Sequence, residues 1–197
     1  MNFKDFVKYY DRPGIVVVLE GKRIVLEDDK PRLLELSKLL AENTQHIIYR
    51  SGNASGADNY FSKGFYGKFA SRFEVVIPYD GHRKEDSHGF KIINIEDYQL
   101  DLRDKLVKET MKNRQNKDMF YTYIGGERNR MSIKAAYLLR DTLKILGFPP
   151  SVKGASFALF YDDLRKPEIG GTGHTINICR NNFVPFINQQ IWFQWLG

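Results

Sequence analysis

Ile15-Val16-Val17-Val18-Leu19-Glu20-Gly21-Lys22-Arg23 begins with an apolar run, mostly β-branched, and ends in a glycine followed by two cations. A short apolar run bounded by a turn reads as a strand buried on both faces, the form strands take in parallel sheets. Outward from it the same unit recurs. Pro31 stands at a first helical position, and Leu33, Leu36 and Leu40 then repeat at helical spacing. Residues 46–49 read as a second strand. Residues 59–69 read as a helix, with Phe61, Phe65 and Phe69 on one face in spite of Gly64 and Gly67, and residues 73–77 as a third strand stopped by Pro78. In the long helix predicted over 127–146, Met131, Ala135, Leu138, Thr142 and Ile145 line one face and Gly147 supplies the stop. A strand at 155–161, a short helix starting near 170–175 and a last strand at 184–187 complete the pattern. Strands alternating with helices predict an α/β fold with a mainly parallel sheet covered on both faces.

Residues 79–123 break this rhythm. They hold Asp80-Gly81-His82-Arg83-Lys84-Glu85-Asp86-Ser87-His88 and a mixed-charge helical run at 101–117, and read as an insertion on the edge of the domain, part loop and part surface helix. The 197 residues fit one domain with that insertion.

With 42% hydrophobic and 27% charged residues the chain is too apolar to be disordered throughout. Its apolar runs fall far short of the roughly 20 residues that cross a bilayer, and its N-terminus carries no secretory pattern, so a cytoplasmic protein without a membrane partner is expected. Cys179 is the single cysteine, which excludes an internal disulfide and a thiolate zinc site; a buried, inert thiol is expected. His82 and His88 are six apart and His46 stands alone, so neither a metal nor a cofactor is expected. The aromatic tail, Ile191-Trp192-Phe193-Gln194-Trp195-Leu196, either packs on the domain or forms a surface for a homo-oligomer. The net charge of +6 favours phosphate-bearing partners, nucleotides or nucleic acid.

Ligands of parallel sheets sit beyond the carboxyl ends of the strands. Three loops there share a composition: Gly21-Lys22-Arg23, Ser51-Gly52-Asn53-Ala54-Ser55-Gly56-Ala57-Asp58, and Gly170-Gly171-Thr172-Gly173-His174-Thr175. Glycines let the backbone approach a ligand, and hydroxyls and free helix-terminal amides bind phosphate. The sequence has neither a P-loop motif nor G-x-G-x-x-G after the first strand, which disfavours a standard ATPase or a dinucleotide-dependent dehydrogenase. Ser51, Gly52, Ser55, Gly56 and Gly170 through Thr175 are the expected contacts to phosphate and sugar. Asp58 either caps the next helix or touches the ligand. His174 either caps a helix, contacts phosphate or acts as an acid or base. Arg128 and Arg130, around Asn129, are candidate phosphate ligands, since cations at a helix N-terminus oppose its dipole.

In this order the loops resemble the SLOG superfamily, which groups the DprA/Smf DNA-processing proteins, the LOG-type phosphoribohydrolases and the YpsA/YspA-like proteins. Glu20-Gly21-Lys22-Arg23 stands for the family's Gly-Ser-Arg turn, and Ser51 through Asp58 is similar to its glycine-rich loop ending in G-A-D. Arg128-Asn129-Arg130 is similar to its R-N-R segment, and Gly170 through Thr175 to its G-G-T-G-x-T loop, followed by Val184-Pro185. The match runs from Ile15 to about Ile187 and leaves out 79–123. It implies a Rossmann-like three-layer domain that binds a nucleotide or another phosphorylated small molecule. The LOG-type hydrolases carry P-G-G-x-G-T-x-x-E, where this chain has Ile169, His174 and Asn177 in place of the proline, the threonine and the glutamate. Without that carboxylate, N-glycosidic cleavage of a nucleoside monophosphate would need Asp162 or Asp163 as substitutes, with His174 as a further catalytic candidate. A third reading is a DprA-like binder of single-stranded DNA that uses the basic residues at 105–117, although acids are interleaved among them.

Overall fold

The computed structural model describes residues 1–83, 88–112 and 117–197. Residues 84–87 of the expected insertion loop and 113–116 of the expected 101–117 helix lie outside the described residues.

β1 (Val16–Gly21) lies inside the sheet, and its residues from Val16 to Glu20 are all buried. Alternate side chains point to opposite faces, which assigns the core residues. Val17 and Leu19 join Leu33, Leu36, Leu40, Phe61, Tyr49 and Trp192 on one face, while Val18 joins Ile145, Ala158, Phe160, Ile176 and Cys179 on the other. β1 pairs in parallel with β2 (Ile48–Ser51), Val17 opposite Tyr49, and on its other side with β5 (Phe157–Tyr161), Leu19 opposite Leu159. With β3 (Phe73–Ile77), β4 (Lys91–Asn94) and β6 (Phe186–Asn188) they form a six-stranded, all-parallel sheet in the order β4-β3-β2-β1-β5-β6.

α1 (Phe3–Tyr10), α2 (Lys30–Asn43) and α3 (Ala57–Lys63) cover the first face. α4 (Lys105–Lys112), α5 (Asp118–Ile124), α6 (Arg130–Leu146) and α7 (Gly170–Asn181) cover the second. The three-layer, Rossmann-like arrangement expected for the chain is therefore observed. The chain steps outward from β1 to β4, returns through α6, and enters β5 beside β1. Strand order reverses there, which opens a crevice between the loops after β1 and β5.

Three local expectations are corrected. Residues 79–123 are more than an edge loop and a surface helix, because β4 extends the sheet beside β3, and Leu106, Val107, Met119 and Phe120 are buried against α6. β4 is a four-residue edge strand with two exposed side chains, so it carries no long apolar run to reveal it. The helix expected over 59–69 stops at Lys63. Gly64 lies so close to α2 that a Cβ would meet the Ser37 backbone at 2.4 Å, and its amide donates to Ser37 Oγ at 3.1 Å. Met131 is 39% exposed and leaves the buried face of α6, which starts only at Arg130.

The tail closes the first face: the Trp192 indole is buried and donates to the Phe160 carbonyl at 2.9 Å. Cys179 is buried, which pushes its thiol pKa up. Among the described residues no helix is long and apolar enough to cross a membrane.

Candidate functional site

The crevice between β1 and β5 encloses about 700 Å³ and is lined by the β1 turn, the face of α6 that looks across the sheet edge, and the start of α7. Its floor is a buried cluster of charges. Lys144, on α6, donates to Glu20 Oε2 at 2.7 Å and lies 3.0 Å from Asp141 Oδ1. Arg140 donates to Asp141 Oδ1 through Nε and Nη2 at 3.1 and 2.7 Å and to the Gly52 carbonyl at 2.9 Å. Thr175, on α7, donates to Glu20 Oε1 at 2.9 Å. Gly52 makes room for the cluster, since a Cβ there would sit 3.0 Å from Arg140 Cζ and from Lys144 Nζ.

Asp58 ties the loops together. Its Oδ1 accepts the Gly21 amide at 3.1 Å, and its Oδ2 accepts the Gly52 and Ala54 amides at 3.2 and 3.3 Å. The carboxylate thus fixes the β1 turn against the β2 loop; it does not cap the following helix, one of the roles expected of it, because Asp58 lies inside α3, whose N-cap is Gly56. Gly56 has φ +87°, and a Cβ on it would lie 2.2 Å from the Arg23 carbonyl. Only glycine fits between the two loops there.

Burial raises the Glu20 carboxyl to about 8, with Asp141 and Asp58 adding to the rise and Lys144 opposing it. Three acidic side chains, Glu20, Asp58 and Asp141, gather around two cations, Arg140 and Lys144, and this excess of acid adds to the effect of burial on Glu20. Burial would raise Asp141 as well, but Arg140 and Lys144 overcome it and hold the group at about 2. Lys144 is raised, since Asp141 and Glu20 outweigh the opposing effect of burial.

The rim differs from the floor. Lys22, Arg23, Arg130 and Lys134 line the opening. Lys22 sits 3.5 Å from Asp163, whereas Arg130 and Lys134 are exposed and make no ion pair among the described residues. The Tyr137 ring stands between the two zones, with the Arg140 guanidinium 5.1 Å and the Arg23 guanidinium 6.0 Å from its centre. Gly170, Gly171 and Thr172 begin the twelve-residue α7 at the crevice, and the first amides of a helix have no intrahelical acceptor. Free amides and four cations around an open mouth suit an anionic ligand.

The fold is similar to that of DNA processing protein A from Helicobacter pylori. The two chains align with a TM-score of 0.51 at 13% identity, over 95% of this chain and 68% of the other, and that protein's structure is described as showing a single-stranded DNA binding mode. No protein-family model and no curated protein matches the sequence.

The crevice brings together Gly21, Lys22, Arg23, Asp58, Arg130, Gly170, Gly171 and Thr172 from the sequence-derived candidates. Others lie elsewhere. Ser55 and Gly56 line a neighbouring cleft that shares Arg23 with the crevice. Ser51 is buried at the end of β2, and its Oγ has no hydrogen-bond partner among the described residues. The R-N-R segment divides: Arg128 turns to Glu96 at 2.6 Å, and Asn129 caps α6, accepting from Met131 and Ser132 at 2.8 and 3.1 Å. Gly173 serves close packing, since a Cβ would clash with the Glu168 carbonyl at 1.9 Å. His174 faces α6, with Nε2 3.1 Å from Thr142 Oγ1 and 3.3 Å from the Leu138 carbonyl.

Both Asp162 oxygens accept loop amides, from Asp163 and Glu168 at 2.8 Å, and Asp163 accepts the Arg165 amide at 3.0 Å. Neither aspartate lines the crevice.

Sequence reading missed Lys134, Tyr137, Arg140, Asp141 and Lys144, and quoted Glu20 only as part of the β1 turn. The signal was there: 134, 137, 141 and 144 recur at helical spacing, so α6 carries a polar stripe beside its apolar one.

Proposed function

We propose that the chain is a SLOG-type protein whose crevice grips the phosphate backbone of single-stranded DNA. The observation that carries this reading is the rim. Lys22, Arg23, Arg130 and Lys134 surround an opening whose inner wall begins with the free amides of α7. Cations of this kind neutralise phosphates, and backbone amides at a helix start bind them without reading sequence. The shared fold with a single-stranded DNA binder supports the same reading. These cations replace the basic residues at 105–117, since none of the described ones there lines the crevice. Arg83 also lines the neighbouring cleft that shares Arg23, where Lys30 is paired with Glu27 at 2.5 Å, so the cationic lining continues past Arg23 through Arg83.

A free nucleotide is the second reading. The volume of about 700 Å³ favours it, because pockets of that size take one small ligand. Fluorescence anisotropy with a labelled oligodeoxynucleotide, competed with a mononucleotide and with double-stranded DNA, separates the two. Single-strand DNA that displaces the label far better than either competitor is the expected result. Equal competition by the mononucleotide would transfer the site to a free nucleotide.

A further inference from the structure

A second cleft, of about 470 Å³, adjoins the crevice and shares Ile133 with it. Its walls come from the part of the chain between β3 and α6 and from the first turns of α6. Tyr79 follows β3, Tyr98 follows the edge strand β4 and Tyr123 stands near the end of α5, so distant parts of the sequence converge on one aromatic cavity. Two of the rings pack on neighbours: Tyr98 on Phe148 at 4.8 Å, and Tyr79 edge-on against Tyr137 at 6.2 Å. The hydroxyls of Tyr98 and Tyr123 make no hydrogen bond among the described residues, although both groups are partly desolvated. At the polar edge Arg128 donates to Glu96 Oε1 at 2.6 Å, and Glu127 is exposed beside them.

A tyrosine pair joins the two cavities. The Tyr79 hydroxyl lies 3.5 Å from that of Tyr137, which lines the crevice. On the far side of Tyr137 from the crevice lies a space bounded by tyrosine rings, with the Glu127 carboxylate and the Arg128 guanidinium at its edge and Glu96 held by Arg128 and by the Asp80 amide at 2.8 Å. That combination suits a planar heterocycle: aromatic faces stack on any base, a carboxylate accepts from an exocyclic amine, and a guanidinium donates to a ring acceptor. Glu96 is already neutralised by Arg128, so the cleft offers a free cation less than its acidic residues suggest.

We propose that the tyrosine cleft is a base subsite, which takes the base of a nucleotide adjoining the one whose phosphate lies in the crevice. The inference rests on the single-strand reading above, and it adds base stacking to a site that otherwise handles only phosphate.

The test uses a labelled oligodeoxycytidine and the same strand with abasic sites throughout, which keeps the phosphates and removes the bases. The protein is expected to bind the base-bearing strand roughly 10- to 100-fold more tightly, the effect of stacking one or two bases. Tyr123→Ala should bring that strand down to the abasic level and leave abasic binding unchanged, while Tyr123→Phe should retain the preference. Equal binding of both strands by the unaltered protein overturns the subsite. So does a Tyr123→Ala protein that loses affinity for both strands by the same factor, or for neither. Failure of the unaltered protein to bind either strand overturns the single-strand reading along with the subsite, and that result is distinct from the others.

Discussion

Lys144 donates to Glu20 at 2.7 Å from a position on α6 that has no exposure to solvent, joining the end of β1 to the helix that crosses back over the sheet. The contact spans 124 positions of sequence. It forms the floor of the crevice, and a charge buried this deeply depends on its partners.

Removing one partner should therefore be costly. Lys144→Met leaves Glu20 and Asp141 short of a cation and is expected to destabilise the protein by about 3–5 kcal/mol, read from the midpoint of urea denaturation. Adding Glu20→Gln should recover part of the loss. If the double variant is no more stable than Lys144→Met, Glu20 is not the group that needs the lysine.

Stability should also depend on pH through the same cluster. Glu20 has an ordinary value of 4.5 and a folded value of about 8, so between these the folded state binds more protons than the unfolded chain, and stability falls as pH rises from about 4.5 to 8. Asp141 goes the other way. From an ordinary 3.8 it is held at about 2, so its contribution is present above 3.8 and lost as pH falls through 2. Denaturation midpoints measured from acid to mildly alkaline pH should decline on the alkaline side, and Glu20→Gln should flatten that decline while leaving the acid limb.

A phosphate in the crevice adds negative charge near Glu20 and should raise its pKa further, so binding takes up protons near pH 8. Titration calorimetry in buffers of different ionisation enthalpy measures that uptake directly. The uptake should vanish in Glu20→Gln.

Asp58 holds three amides of two loops, so Asp58→Ala is expected to destabilise the fold by about 3 kcal/mol and to abolish ligand binding. Asp58→Asn keeps one acceptor oxygen and should recover part of both. Chemical denaturation and strand binding, run side by side on the two variants, check this.

The rim makes a different kind of prediction. Arg130→Ala and Lys134→Ala should leave stability within about 0.5 kcal/mol, because both side chains are exposed and unpaired among the described residues. Each should weaken single-strand binding and reduce the salt dependence of log K by about 0.7, the share of one phosphate contact. An unchanged slope would remove that residue from the phosphate path.

Much of the fold was legible because its signals are local. The run from Ile15 to Leu19, the leucines of α2 and the glycine after α6 each state a strand, a helix or a stop within a few residues, and the alternation of these elements implies a parallel sheet. The glycine loops were legible for the same reason, and the structure brings Gly21, Gly170 and Gly171 to one crevice. β4 was not legible, since a short edge strand buries too little to carry a pattern, and neither was the end of α3, where Gly64 answers to the backbone of α2.

The sequence by itself determined the periodicity of the elements and the composition of the loops, because propensity and hydrophobic spacing act over a turn or two of chain. Which charges face one another was decided only by the tertiary structure. Glu20 reads as part of a turn and Lys144 as one cation on a long helix, and their burial together follows from strand order, which places β5 beside β1 and lays α6 across the reversal. The same crossing separates Arg128 from Arg130, sending one to the tyrosine cleft and the other to the crevice between β1 and β5. Electrostatic energy depends on distance and desolvation, and neither is written in a linear spacing.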